Sequence, residues 1–404
     1  MTKRASLPAI TGIRFFLAMW VVVLHMAATN PATEGLMRHM PRWIAESVDA
    51  GACAVGIFFL LSGFVLAYTY DLGVAWKRGL RLRFWAARFA RIYPVYFLAL
   101  LLGLPALFAG LLKSSAGIQR LPLAGGMAAV LLLVQSWIPD DALLWGGPAW
   151  SLSAEAFFYL CFPFLGALLW RVSRTRSMLL ALIGLWLTVC GLSYGIAAVW
   201  APWFLKYGVG GETQWTEVIK FNPLVRLPEF LAGIVLCKLY LSLKERREGW
   251  FRPGRGAVLY VPGMLALVAI VSQQEHLPPA VLHDGLMLPA SAAMILGLSL
   301  GGGWIARLLS RPTLVVLGQA SYAVYLLHMP VYSFFAASGK RLAHTATGQW
   351  VVLVAYLVCL MGVCLLAFFK LEEPARKGIL KIFDRKVGLK IQAREPEPAA
   401  ADPF

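Results

Sequence analysis

The chain has 404 residues, of which 59% are hydrophobic and only 14% charged, where a soluble domain carries roughly a quarter charged residues. Its formal net charge of +17 sits in a few Lys/Arg clusters between apolar runs, which is the loop bias of a membrane protein and not a nucleic-acid surface. The six cysteines, Cys53, Cys161, Cys190, Cys237, Cys359 and Cys364, form no C-x-x-C pair, which argues against a disulfide framework and against zinc.

The chain opens MTKRASLPAITGIRFF, and the apolar stretch continues to about Ala28 with no small-residue cleavage site. It reads as a retained first span and not as a signal peptide. Further apolar segments follow at about 50–70, 92–112, 123–137, 150–170, 178–199, 224–242, 257–273, 285–300, 313–336 and 350–370. A span needs about 20 residues, so 123–137 is too short.

Charge orients the rest. Basic residues cluster at Lys77–Arg91, Arg171–Arg176, Lys244–Arg255 and Lys370–Lys386, and Lys3 and Arg4 precede the first span. All of these are expected on the cytoplasmic side. Three apolar segments lie between 91 and 171, yet two loops on one side need an even number of crossings. The short 123–137 segment, followed by IPDDALLWGGPA, is therefore expected to be re-entrant or interfacial, which is tolerated only inside protein or along a cavity. The expected fold is all-α and polytopic, with about ten transmembrane helices, both termini cytoplasmic and a Pro/Ala-rich, disordered end. Residues 1–376 form the membrane domain in this reading, and 377–404 a basic, then disordered tail.

Ionisable groups within spans are costly and so mark candidate functional sites. Arg14 and His25 are eleven residues apart in the first span, which puts them on one helix face about 16 Å apart along the axis. Arg14 is also explained as snorkelling to the interface, and His25 as a packed core histidine. Arg88 and Arg91 share a face at the cytoplasmic start of the third span. A pair of guanidinium groups suits a phosphate-bearing ligand, although flanking basic residues are ordinary there. Glu155 lies about five residues into its span with Tyr159 one turn later. A structural pairing with an Arg on a neighbouring helix explains Glu155 as well. Arg226 and Glu229, three apart, are expected to pair with each other. His328 falls in the outer half of its span, and Glu372 and Glu373 read as a charge cluster at a helix end. Trp43, Trp137, Trp145, Trp203 and Trp215 could stack on sugar rings, although tryptophan is ordinary at a membrane interface. His25, Glu155, Arg226, Glu229 and His328 thus fall toward the outer side, and Arg14, Arg88 and Arg91 toward the cytoplasm.

The segments TGIRFFLAMWVVVLH, GIFFLLSGFVLAY, RFARIYPVY, WSLSAEAFFYLCFPFL, SYAVYLLHMPV and EEPAR together resemble the acyltransferase 3 family of membrane O-acyltransferases. They occur in family order over about residues 7–376. The resemblance implies ten spans and transfer of an acyl group, commonly acetyl, from cytoplasmic acyl-CoA to a hydroxyl of a glycan, a lipid-linked sugar or a small molecule. It also implies polysaccharide modification at a bacterial inner membrane. The family's Arg-x10-His pattern falls on Arg14 and His25, its Arg-x-x-Arg on Arg88 and Arg91, and its Trp-Ser-Leu-Ser-x-Glu on Trp150 to Glu155. Some members carry a further esterase-like domain; with the chain ending soon after the last span, acceptor specificity is expected from the membrane core and outer loops.

The expected roles follow. Arg14, Arg88 and Arg91 hold the donor's phosphates. His25 acts as general base or acyl carrier. Glu155 orients His25 or fixes the acceptor, and Arg226, Glu229, His328 and Tyr159 contribute to substrate binding. No metal or permanently bound cofactor is required. The competing class is a transporter or flippase using the same charges as a substrate or proton path, but no internal repeat of the kind common in transporters is evident.

Overall fold

In lipid a chain satisfies its own backbone only as a helix or a closed barrel, and every regular element among the described residues is helical. The computed structural model describes residues 4–29, 37, 39–73, 76–113, 120–202, 205, 214–246, 254–338 and 345–387. The main helices are α1 (Pro8–Thr29), α2 (Ala54–Thr69), α3 (Arg78–Lys113), α4 (Arg120–Leu131), α5 (Trp150–Leu169), α6 (Thr175–Trp200), α7 (Pro223–Arg246), α8 (Ala257–Val271), α9 (Leu288–Leu300), α10 (Pro312–Gln319), α11 (Ser321–Ser338), α12 (Ala346–Leu366) and α13 (Glu373–Val387).

All eleven apolar segments are helical for most of their length. Among the described residues, seven stretches are long and apolar enough to cross a membrane, or eight if α10 and α11, bent by 58° at Ala320, count as one broken span. The expected ten crossings are therefore not all recovered by length and apolarity. The two that fall short do so for identifiable reasons. Helix α8 has 15 residues, and α7 is 24 residues long but carries Arg226, Glu229, Lys238 and Lys244. Helix α4 has only 12 residues, about 18 Å at 1.5 Å per residue against a core of about 30 Å. The chain then breaks into short 3₁₀ turns through Asp141.

Two boundaries move. Helix α3 starts at Arg78, some fourteen residues before the apolar run begins at 92, because Leu, Arg and Ala continue a helix readily. The expected membrane-domain boundary at 376 falls inside a continuous helical run: α12 passes through a π-helical turn, Ala367–Glu372, into α13. The basic residues 377–387 continue that helix. Arg83 grips Asp384 through Nε–Oδ1 at 3.0 Å and Nη2–Oδ2 at 3.2 Å, a bidentate pairing that ties α13 to α3. The Pro/Ala-rich end, like Lys3 and Trp203, lies outside the described residues.

Helix packing follows membrane rules. A Cβ at Gly63 on α2 would lie 1.9 Å from Phe230 O, and one at Gly233 on α7 would lie 2.1 Å from Leu60 O. Two small residues facing each other let the α2 and α7 backbones touch. At the C-terminal end of α2, Arg4 donates to Ala67 O at 3.1 Å and to Tyr68 O at 2.6 Å, capping carbonyls left open by the helix terminus. Helix α6 exposes Leu179, Leu180, Ile183 and Leu187, as a lipid-facing helix does. The six cysteines are all free. Of the tryptophans read as interfacial, Trp43, Trp137 and Trp215 are exposed, but Trp145 is buried and donates its ring N–H to Leu100 O at 3.0 Å.

Candidate active site

Helices α1, α2, α3, α5 and α11 surround a cavity of about 60 Å³. Its polar lining includes Arg14, Arg91, Glu155, Tyr159, Tyr322 and Tyr325. Arg14 is buried on the inner face of α1. Another face of α1 is held against the C-terminal end of the Gly303–Leu309 helix and against α10, since a Cβ at Gly12 would lie 2.0 Å from Leu309 O and one at Gly318 1.9 Å from Thr11 O.

Glu155 and Tyr159 share a face of α5, as expected from their spacing. The Tyr159 hydroxyl donates to Glu155 Oε1 at 2.5 Å, and Ser62 Oγ donates to the same oxygen at 2.9 Å. Two donors to one carboxylate oxygen satisfy much of its hydrogen-bonding demand. Glu155 is therefore held by Ser62 and Tyr159, and its expected role of orienting His25 is not seen in the geometry.

Arg88 and Arg91 leave α3 on neighbouring positions but diverge. Arg88 lies over the rings of Tyr70 and Phe84, 5.6 and 5.9 Å from their centroids, and donates to the Tyr70 hydroxyl at 3.3 Å. Arg91 reaches the cavity, sits 5.6 Å from the Tyr322 ring centre and forms an ion pair with Glu372. Glu372 is fully buried, so its expected place in a helix-end charge cluster is corrected. The π-helical turn carries it inward, whereas Glu373 does behave as a helix-end residue, pairing with Arg376 at 3.1 Å and Lys377 at 3.5 Å.

The two span histidines meet. His25 Nδ1 and His328 Nε2 are 3.4 Å apart, and the ring centroids 5.0 Å. The carbonyl partners fix the tautomers, because a carbonyl only accepts. His25 Nδ1 faces Val21 O at 2.8 Å and His328 Nδ1 faces Tyr325 O at 2.7 Å, so both Nδ1 atoms carry the proton. His328 then offers its Nε2 lone pair toward His25, and the basic lone pair of His25 is on Nε2. Tyr325 joins the pair to the cavity: it lines the cavity, and its ring lies 6.3 Å from that of His328.

Arg226 and Glu229 do pair, through Nη2 and Oε2 at 3.1 Å, but they belong to a larger buried cluster. Arg226 also forms an ion pair with Asp284, donates to His283 O at 3.0 Å and lies 5.5 Å from the Phe59 ring centre. His283 Nδ1 faces Asp284 Oδ1 at 3.1 Å. Phe59 lines the cavity and stands between it and this cluster. An arginine matched by two buried carboxylates is the arrangement buried charge requires.

A model of the acyltransferase domain, of the acyltransferase 3 type, matches residues 7–369. The chain belongs to the acyltransferase 3 family. As a family member it is a membrane O-acyltransferase. It is 29% identical over 419 residues to acyltransferase MdmB of Streptomyces mycarofaciens, covering 97% of this chain and 96% of that protein. It is 25% identical over 408 residues to peptidoglycan O-acetyltransferase OatA of Listeria monocytogenes, covering 94% of this chain and 58% of that protein. It thus spans nearly all of the first relative and under three fifths of the second. No solved structure matches.

The acyltransferase's cavity brings together Arg14, Arg91, Glu155 and Tyr159 of the residues expected from sequence. His25 and His328 form a second group beside it, Arg88 stands in an aromatic wall with Tyr70 and Phe84, and Arg226 and Glu229 lie behind Phe59. Sequence reasoning missed Asp284, which sits one residue outside the apolar segment as drawn, and the inward turn of Glu372. It also passed over Ser62, Ser321, Tyr322 and Tyr325, because hydroxyls within apolar runs carry no charge penalty to flag them.

Proposed function

We propose that this acyltransferase moves an acetyl group from cytoplasmic acetyl-CoA to a hydroxyl of a glycan or lipid-linked sugar. It would do so in a bacterial cytoplasmic membrane with both termini inside. The observation that carries the reading is the His25–His328 contact, which leaves a basic Nε2 on the same helix as cavity-lining Arg14. The name of the Listeria relative, a peptidoglycan O-acetyltransferase, supports a glycan acceptor.

In this reading the donor's phosphates enter near Arg14, Arg88 and Arg91, and its thioester extends toward the histidines. His25 Nε2 takes the proton of the acceptor hydroxyl as its oxygen attacks the thioester carbonyl. The C–S bond breaks as the ester C–O bond forms, and the departing thiolate regains the proton from His25. The His25 Nδ1–H, shared between Val21 O at 2.8 Å and His328 Nε2 at 3.4 Å, steadies the imidazolium while it exists. Glu155, held by Ser62 and Tyr159, fixes the acceptor.

The test is transfer of labelled acetyl from acetyl-CoA by membranes holding wild type or His25→Ala, with label counted in extracted glycan and lipid. Label present with wild type and lost with the variant supports the reading. Equal transfer by a folded His25→Ala protein overturns the role of His25. Absence of label from both overturns acetyl-CoA as donor.

A further inference from the structure

The proposed donor is a polyanion, and the arginines expected to hold it are in part engaged. Arg91 faces Glu372, and Arg88 is stacked among aromatic rings. The cavity contains another group suited to an anion. Helices α10 and α11 meet at a break bent by 58°. The helical ladder runs from Ala320 N–H to Val316 O and resumes with Val324 N–H to Ala320 O, both at 3.0 Å. At such a break the first amides of the outgoing helix favour negative charge, and broken membrane helices are a recurrent device for holding anionic substrate groups.

Ser321 is the first residue after the break. It is 1% exposed, its hydroxyl is buried with no hydrogen-bond partner among the described residues, and it lines the cavity with Arg14 and Arg91. A buried hydroxyl without a partner is costly, so a ligand in the cavity is the natural acceptor for it.

Position selects which part of the ligand. Ser321 precedes His328 by seven residues of α11, about 10 Å at 1.5 Å per residue. Arg14 precedes His25 by eleven residues of α1, about 16 Å. Both therefore lie well short of the histidines on the same, Arg-bearing side, too far to touch the reacting carbonyl but placed to hold the far end of an extended donor. We propose that the Ser321 hydroxyl and the broken start of α11, with Arg14 opposite, bind a phosphate of the acyl donor. This rests on the acyl-CoA reading and adds a binding residue to it; Ser321 is not catalytic.

The test is binding of CoA, pantetheine and inorganic pyrophosphate to the purified full chain in nanodiscs by titration calorimetry. The variants are Ser321→Ala, Ser321→Thr and Ser321→Asp, each checked for folding by size exclusion and thermal unfolding. Loss of the hydroxyl in Ser321→Ala weakens CoA about three- to tenfold. Ser321→Thr retains affinity within about threefold. Ser321→Asp, which sets a negative charge at the break, weakens CoA by about tenfold or more. Pantetheine, which carries no phosphate, changes less than about twofold in all three. Unchanged CoA affinity in Ser321→Ala and Ser321→Asp overturns the proposal and leaves the donor reading intact. Equal losses for CoA and pantetheine also overturn it, since that is a packing effect. If the wild type binds pyrophosphate in a Ser321-dependent way but not CoA, the anion site stands and the donor reading falls. If it binds neither, both fall. Should Ser321→Asp not fold, the Ala and Thr variants decide.

Discussion

His25 and His328, 303 residues apart in sequence, approach to 3.4 Å between Nδ1 and Nε2. The contact makes their roles unequal. His25 presents a free basic nitrogen, while both ring nitrogens of His328 are committed, one to Tyr325 O and one to His25. His25→Ala is expected to cut acetyl transfer by about 10²–10⁴-fold, the usual worth of a general base. His328→Ala is expected to cost less, because the Val21 carbonyl still holds the His25 ring. Initial transfer rates from membranes matched for protein content measure both, and a His328→Ala loss equal to that of His25→Ala would contradict the division.

The Arg91–Glu372 pair makes a prediction about stability. Its side chains are 6% and 0% exposed, so deleting one partner strands a buried charge. Arg91→Ala is expected to destabilise the protein by about 3–5 kcal/mol. Replacing both, as Arg91→Met with Glu372→Leu, should restore most of the folded yield without restoring transfer. Size-exclusion yield and thermal unfolding in detergent report on folding. A stable Arg91→Ala protein would show that Glu372 is neutralised by another group.

The α2–α7 contact is predicted to be intolerant of volume. Gly63→Leu or Gly233→Leu must push apart backbones that already lie within 2.1 Å of where a Cβ would stand. Overpacking typically costs about 1–3 kcal/mol or more, so both variants should give little folded protein in membranes. Gly110→Ala and Gly184→Ala, which meet nothing within 4 Å, serve as controls and should accumulate normally.

Glu155 depends on its two hydroxyl donors. Tyr159→Phe and Ser62→Ala each remove one hydrogen bond to a carboxylate, worth about 1.5–3 kcal/mol in the charged case. They should lower transfer by about tenfold or more each while the protein remains folded. Because both donors share Oε1, their losses should not add. Rates of the single and double variants decide this; fully additive losses would show that the two hydroxyls act separately.

Several features of the site could be read along the chain because they are local. The i,i+3 pairing of Arg226 with Glu229 and the i,i+4 placement of Tyr159 against Glu155 follow from helical pitch alone, and both are present. The shared face of Arg88 and Arg91 was equally legible, but it did not predict their partners. Tyr70 and Phe84 claim one and Glu372 the other, and those contacts depend on how three helices cross. Asp284 escaped for a related reason: its worth lies wholly in the opposed Arg226, which is 58 positions away.

The sequence by itself determined that the chain lives in a membrane as a set of helices, since lipid demands apolar runs of a given length and internally bonded backbone. Six short segments in order were enough to indicate the family. Only the tertiary structure decided which buried acid neutralises which arginine and that two distant histidines touch. Charge in a low-dielectric interior is tolerable only with a partner at contact distance. That distance is set by helix crossings, close glycine contacts such as Gly63 with Phe230 and the break at Ala320, none of which the order of residues spells out.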